Sequence, residues 1–163
     1  MKLYLLRHAT AVDTAPSDAK RELTHEGKEE AQIVGAALAE LGVKLSYIAS
    51  SPLVRARQTA EIVAQVLKFP DTIEFLDELQ SNSTTAVLLK ALRPFACAGE
   101  VLVVGHMPAL SEYLAALIGV DSAQAFALGK GSVACIELEH LRIGTGQLRW
   151  LMRQKQLREI AGR

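Results

Sequence analysis

Arg7 and His8 stand together where the short apolar run Leu3-Tyr4-Leu5-Leu6 ends. A second histidine, His106, follows another apolar run, Val101 to Val104, through Gly105. Buried parallel strands of open α/β sheets present their C-terminal ends to ligands, so both histidines are placed for chemistry. A further arginine, Arg55, falls in the first turn of the helix expected after Ser51-Pro52. Helical side chains lean toward the helix N-terminus, which aims Arg55 back at the strand ends. Two forked guanidinium donors, two imidazoles and nearby helix N-termini make a site for a tetrahedral dianion, most naturally a phosphoryl group, with phosphate or sulfate as simple occupants. The adjacent arginines would repel a cation, and no third ligand has convincing spacing beside His8 and His106. No metal and no cofactor is therefore expected.

The elements that must position these residues alternate along the chain. Strand and helix patterns taking turns predict an α/β fold, a three-layer sandwich with a mixed, mainly parallel sheet and helices on both faces. After the first strand comes a polar loop, Thr14 to Arg21. Thr24 then caps a helix with the apolar stripe Ala31, Val34, Leu38 and Leu41, ended by Gly42. Tyr47-Ile48-Ala49 reads as a short buried strand. Ser51 suits an N-cap and Pro52 the first helical position of the next helix, which turns Ala56, Ala60, Val63 and Leu67 inward. Ile73 to Leu76 is expected as a strand. Ser81-Asn82-Ser83 forms a loop or cap before a helix through Val87, Leu88 and Leu92 that Pro94 closes. The helix opened at Pro108 runs to Gly119. Val133 to Leu138 and Leu148 to Met152 read as paired strands with a turn at Gly144-Thr145-Gly146.

Bulk properties limit the function classes. The 163 residues, 50% of them hydrophobic, suit one domain across 1–163, since two halves would each be marginal. A net charge of +0 creates no global field for nucleic acid or anionic lipid, so any anion site must be local. Cys97 and Cys135 lack CxxC spacing and read as reduced core thiols. The N-terminal apolar run is too short for a signal segment, and no stretch approaches the roughly 20 residues that span a bilayer. These features predict a cytoplasmic protein with neither membrane nor nucleic acid as partner. His25 and His140 read as solvated. The basic cluster from Arg149 to Arg163 reads as a solvated tail, frayed over about 153–163.

The motifs carry a family resemblance. Leu6-Arg7-His8-Ala9, then Glu22-Leu23-Thr24-His25-Glu26-Gly27, then Ser50-Ser51-Pro52 running on to Arg55-Ala56-Arg57-Gln58-Thr59-Ala60, and finally Val104-Gly105-His106-Met107-Pro108 are similar in order and spacing to segments of the histidine phosphatase superfamily. That superfamily has the phosphoglycerate mutase-like fold. The small size, the lack of an inserted cap and the segment Gly131-Ser132-Val133-Ala134 resemble its SixA-type phosphohistidine phosphatases, over about residues 2 to 140.

The resemblance implies that His8 is a nucleophile that carries the phosphoryl group as a covalent intermediate, which water then hydrolyses. Arg7, Arg55 and His106 would bind the phosphoryl oxygens. Arg57, two positions from Arg55, faces another way on the helix. Arg21 matches a basic residue that often precedes the family's Leu-Thr and would touch substrate or the phosphate rim. Many members draw a carboxylic acid from the region between the second arginine and the second histidine. Here that region offers Glu78 without the usual glycine and tryptophan context. A missing acid suits a phosphohistidine substrate, because imidazole leaves far more readily than an alkoxide. Three readings follow: a phosphohistidine phosphatase acting on a phosphohistidine-bearing protein domain, a phosphatase or mutase for small phosphomonoesters, and a non-catalytic phosphoryl-binding module.

Overall fold

Residues alternate between two buried faces along each central strand. Leu3, Leu5, Val101 and Val103 join one core cluster, while Tyr4, Leu6, Leu102 and Val104 join the other. With both faces covered, such strands read as unbroken apolar runs rather than alternating ones. The computed structural model describes residues 1–80 and 82–162. Its main elements are β1 (Lys2–Arg7), α1 (His25–Glu40), β2 (Tyr47–Ser50), α2 (Val54–Val66), β3 (Glu74–Phe75), α3 (Thr85–Leu92), β4 (Glu100–Gly105), α4 (Ala109–Ile118), β5 (Val133–Leu138), β6 (Gly146–Met152) and α5 (Gln154–Ile160).

The strands form one six-stranded sheet in the order β3-β2-β4-β1-β5-β6. The first four in that order are mutually parallel, and β5 runs antiparallel to both β1 and β6. Val34 and Leu38 of α1, Ala60 and Val63 of α2, and Leu157 of α5 fill one face of the sheet. Leu88 and Leu92 of α3, with Leu110 and Leu114 of α4, fill the other. The three-layer α/β sandwich expected from the alternating pattern is thus present. Neighbouring strands β1 and β4 send their following helices to opposite faces, which opens a crevice at their C-terminal ends.

Several local expectations change. Helix α2 starts at Val54 with Leu53 at its N-cap position, so neither Ser51 nor Pro52 plays the predicted capping role. The strand expected over Ile73 to Leu76 shrinks to Glu74–Phe75 at the sheet edge, where only one neighbour pairs with it. Cys135 is buried as predicted, but Cys97 is exposed. Thr84 caps α3 by accepting the Val87 amide; Ser81 lies outside the described residues.

The basic C-terminal segment is not a frayed tail. Arg149 belongs to β6 and pairs with Glu137 at 2.7 Å, and residues 154–160 form α5. Leu157 is fully buried there, and one apolar residue per helical turn is enough to pin so short a helix. Arg163 lies outside the described residues. Among the described residues, no helix is long and apolar enough to cross a membrane. Leu157→Ala is expected to cost about 2–5 kcal/mol by urea unfolding, as buried leucine truncations do. A solvated tail would change stability by no more than about 0.5 kcal/mol.

Candidate active site

The β1–β4 ladder sets Arg7 opposite Gly105. It continues one step past the strand, where the His8 amide donates to the Gly105 carbonyl at 3.0 Å. On the other side the Arg7 amide donates to Ser132 O at 3.1 Å, and the Gly131 amide approaches the Arg7 and His8 carbonyls at 3.2 and 3.3 Å. Gly131 has φ +63°, a conformation that side chains resist, so glycine suits this clasp. Behind His8 the first turn of α1 packs directly on backbone. A Cβ on Gly27 would lie 1.9 Å from Thr10 O, which demands glycine there.

His8 is 7% exposed, and its Nδ1 lies 2.7 Å from Ala9 O. A carbonyl oxygen can only accept, so Nδ1 carries the proton and Nε2 keeps its lone pair. His106 is buried, with its ring centroid 5.1 Å from that of His8. Its Nε2 lies 2.8 Å from Ser51 Oγ, which also accepts the Leu53 amide at 3.3 Å. The Ser51 hydroxyl can donate to Nε2, and in that tautomer the His106 proton sits on Nδ1.

Arg7 Nη1 donates to Leu128 O at 2.8 Å. Arg55, 6% exposed, donates from Nη1 to Asp18 O at 2.8 Å and from Nη2 to Asp18 Oδ2 at 3.0 Å. Three buried nitrogens of this group, Arg7 Nε, Arg55 Nε and His106 Nδ1, have no hydrogen-bond partner among the described residues. Such atoms carry a desolvation cost that an oxyanion would relieve.

Burial is the main force on both imidazoles. It lowers His8 to about 4, against the Ala9 carbonyl that favours the charged ring, while Arg55, Arg7 and Lys130 push in the same direction as burial. His106 falls to about 3, first through burial and then through His8 and Arg55. Both rings are therefore neutral at neutral pH. Asp18 is held below the ordinary carboxylate range, first by its bond to Arg21 and then by Arg55.

The four residues singled out from the sequence thus meet at one crevice, with the remaining candidates at or beyond its rim. Arg21 reaches the group only through Asp18, to which its Nη1 donates at 3.1 Å, while its Nε holds Val12 O at 2.7 Å. Glu78 is exposed on the 3₁₀ turn Asp77–Leu79. Arg57 points away and pairs with Glu61, and His25 and His140 are exposed. Sequence reasoning missed Asp18, Lys130 and the true task of Ser51. An acidic residue three positions before Arg21 hinted at Asp18. Ser51 was masked by its resemblance to a helix cap, and nothing local pointed to Lys130.

The depressed histidines make stability depend on pH. Both titrate at 6.5 when unperturbed and lower in the fold, so below pH 6.5 the unfolded chain binds protons that the folded chain refuses. Their contribution is complete above pH 6.5 and is lost as the pH falls toward 4. Each histidine adds a slope approaching about 1.4 kcal/mol per pH unit. Urea unfolding compared at about pH 7.5 and about pH 5 should show this loss, and asparagine at both positions should remove it.

Known proteins share the sequence and fold of this chain. The chain is 29% identical to the phosphohistidine phosphatase SixA of Escherichia coli strain K12 over 154 residues, 93% of each protein. An uncharacterized protein of a Picosynechococcus strain is 36% identical over 121 residues, 72% of this chain and 73% of its own length. The solved structure of the protein histidine phosphatase SixA complexed with tungstate superposes with a TM-score of 0.89 at 27% identity, covering 96% of this chain and 99% of that one. Residues 3–85, which include His8 and Arg55, match the family profile described as the histidine phosphatase superfamily (branch 1). With half of its length on that profile and its fold shared across nearly the whole chain, this protein belongs to the histidine phosphatase superfamily, branch 1.

Proposed function

We propose that the protein is a SixA-like phosphohistidine phosphatase, with His8 as nucleophile and Arg7, Arg55 and His106 as the phosphoryl cradle. The observation that carries this reading is the 2.7 Å contact from His8 Nδ1 to Ala9 O. It keeps the Nε2 lone pair available among buried donors that lack partners among the described residues. Nε2 attacks phosphorus, the N–P bond to His8 forms, and the substrate's P–N bond breaks. The leaving imidazole departs neutral when its other nitrogen has taken a proton from solvent. Water then attacks phosphorus, the bonding pair returns to Nε2, and inorganic phosphate leaves. Both steps build charge on phosphoryl oxygens that the arginines and the His106 Nδ1–H would stabilise.

The carboxylates support a leaving group that needs little protonation. Asp18 is an ionised acceptor between two arginines rather than a proton donor, and Glu78 is exposed. An alkoxide would need a positioned acid, whereas imidazole is a far better leaving group. The partner in this reading is a phosphohistidine-bearing domain of a signal-transduction protein. The chain works as one capless domain over 1–163 in the cytosol, in keeping with its free thiols.

Incubation with a phosphohistidine-bearing carrier protein and, separately, with p-nitrophenyl phosphate tests the proposal. Phosphate release is expected from the first and little from the second, with both lost in His8→Ala. Arg55→Ala should slow release by about 3–4 kcal/mol of barrier, the loss typical of one oxyanion donor. Glu78→Gln should leave phosphohistidine turnover unchanged. Efficient ester turnover that Glu78→Gln abolishes would instead identify a small-molecule phosphatase, and phosphate binding without turnover would identify a binding module.

A further inference from the structure

Glu30 on α1 is 7% exposed, yet among the described residues it has no cationic partner within 4 Å. Both carboxylate oxygens bond to Thr10, Oε2 to the amide at 2.8 Å and Oε1 to the hydroxyl at 3.1 Å. That amide N–H belongs to the same peptide group as the Ala9 carbonyl, and the Ala9 carbonyl holds His8 Nδ1 at 2.7 Å. One planar peptide unit thus joins a buried carboxylate on one side to the imidazole on the other. The preceding His8–Ala9 peptide is held separately, where the Ala9 amide donates to Thr59 Oγ1 at 3.1 Å, and Thr59 in turn donates to Arg55 O at 2.7 Å.

We propose that Glu30 is a positioning residue for His8, acting through the Ala9–Thr10 peptide to hold the reactive tautomer and to stabilise the positive charge that builds on the ring as the N–P bond forms. This deepens the reading of His8 as nucleophile and rests on it. The physical basis is mutual polarisation along a hydrogen-bonded chain. An anion accepting from a peptide N–H strengthens that peptide's carbonyl as an acceptor, and a stronger acceptor favours the ring N–H opposite it. During phosphoryl transfer the Nδ1 proton stays in place. The ring gains cationic character when Nε2 bonds to phosphorus and loses it when water releases phosphate. A carboxylate set one peptide away therefore does for this histidine what a directly bonded carboxylate does in an Asp–His pair. Burying a carboxylate without a counterion is costly, and a glutamine could accept the Thr10 amide through its oxygen and donate its NH2 to the Thr10 hydroxyl at lower cost. The charge itself is what the site retains.

The titratable groups around His8 come from every side: Arg7 at the end of β1, Arg55 on α2, Lys130 in the loop before β5, neutral His106 after β4, and Glu30 on α1. Glu30 is the carboxylate linked to the ring through one peptide group. Removing its charge should destabilise the imidazolium, so His8 should titrate lower still.

Glu30→Gln tests the proposal in the full-length protein with two measurements. In rapid-quench experiments with phosphoramidate as donor, formation of the phosphoenzyme should slow by about 10- to 100-fold, by analogy with the loss of an outer partner behind a metal-bound histidine. Its hydrolysis should not slow, because the same lost charge makes the phosphoimidazole a better leaving group. In ring NMR titrations the His8 midpoint should move below the wild-type value of about 4. Inorganic phosphate affinity serves as a control and should match wild type, and the melting temperature should not fall below it. Equal slowing of both steps with an unmoved His8 midpoint would overturn the proposal and leave Glu30 as a loop brace. Unchanged kinetics would overturn it as well. If glutamine is not tolerated, Glu30→Asp draws the carboxylate back by one methylene and should move both readouts in the same directions. Wild type that forms no phosphoenzyme would refute the phosphatase reading itself, while the titration still reports the coupling.

Discussion

The backbone ladder between β1 and β4 sets Arg7 opposite Gly105 and carries one bond further, from the His8 amide to the Gly105 carbonyl. Two chain segments about a hundred residues apart therefore leave the sheet side by side, each with a histidine one residue past its strand. A slip of one residue would turn Leu3 and Leu5 to the face that Tyr4 and Leu6 now fill, and both cores would have to repack. The register that satisfies the cores is thus the register that pairs the imidazoles. Because β1 and β4 send their helices to opposite faces, nothing in the sheet covers the gap they leave, and the site forms there.

Electrostatics gives that gap its character. Two guanidinium groups stand beside two imidazoles, and burial keeps both rings neutral rather than adding to the positive charge. The arginines are held by acceptors turned away from reactive chemistry. Leu128 O takes one Arg7 donor, and Asp18 takes two from Arg55. What remains is a set of buried donors without partners among the described residues, a cost in stability that a bound oxyanion would offset. Natural sites commonly trade stability for preorganisation in this way, because donors fixed in advance need no rearrangement when charge develops.

The fold alone would not distinguish among the chemistries of its superfamily, since function resides in the site. The polar groups set the distinction here. The carboxylate at the cradle is tied to Arg55 and Arg21 and stays ionised, and Glu78 faces solvent. A site rich in donors for the phosphoryl group and, among the described residues, without a placed carboxylic acid would suit a substrate whose leaving group departs readily. In the proposed roles Glu30 fits the same pattern, its charge placed behind His8 rather than toward the leaving group.

Arg7, His8, Arg55 and His106 were legible from the chain because each stands at the end of an apolar run or in the first turn of a helix, and those positions have only one direction to face. The alternation of strands and helices, the Thr24 cap and the stop at Gly119 were legible for the same local reason. Tertiary structure decided what depends on contacts between distant segments. Ser51 serves His106 rather than a helix, because full burial beside β4 offers its hydroxyl an imidazole at 2.8 Å. Asp18 reaches Arg55 across 37 positions, and the basic C-terminal segment becomes an edge strand and a pinned helix once Leu157 finds the α1 face. Local pattern determines where a residue sits on its own element, and only packing determines which partner waits opposite it.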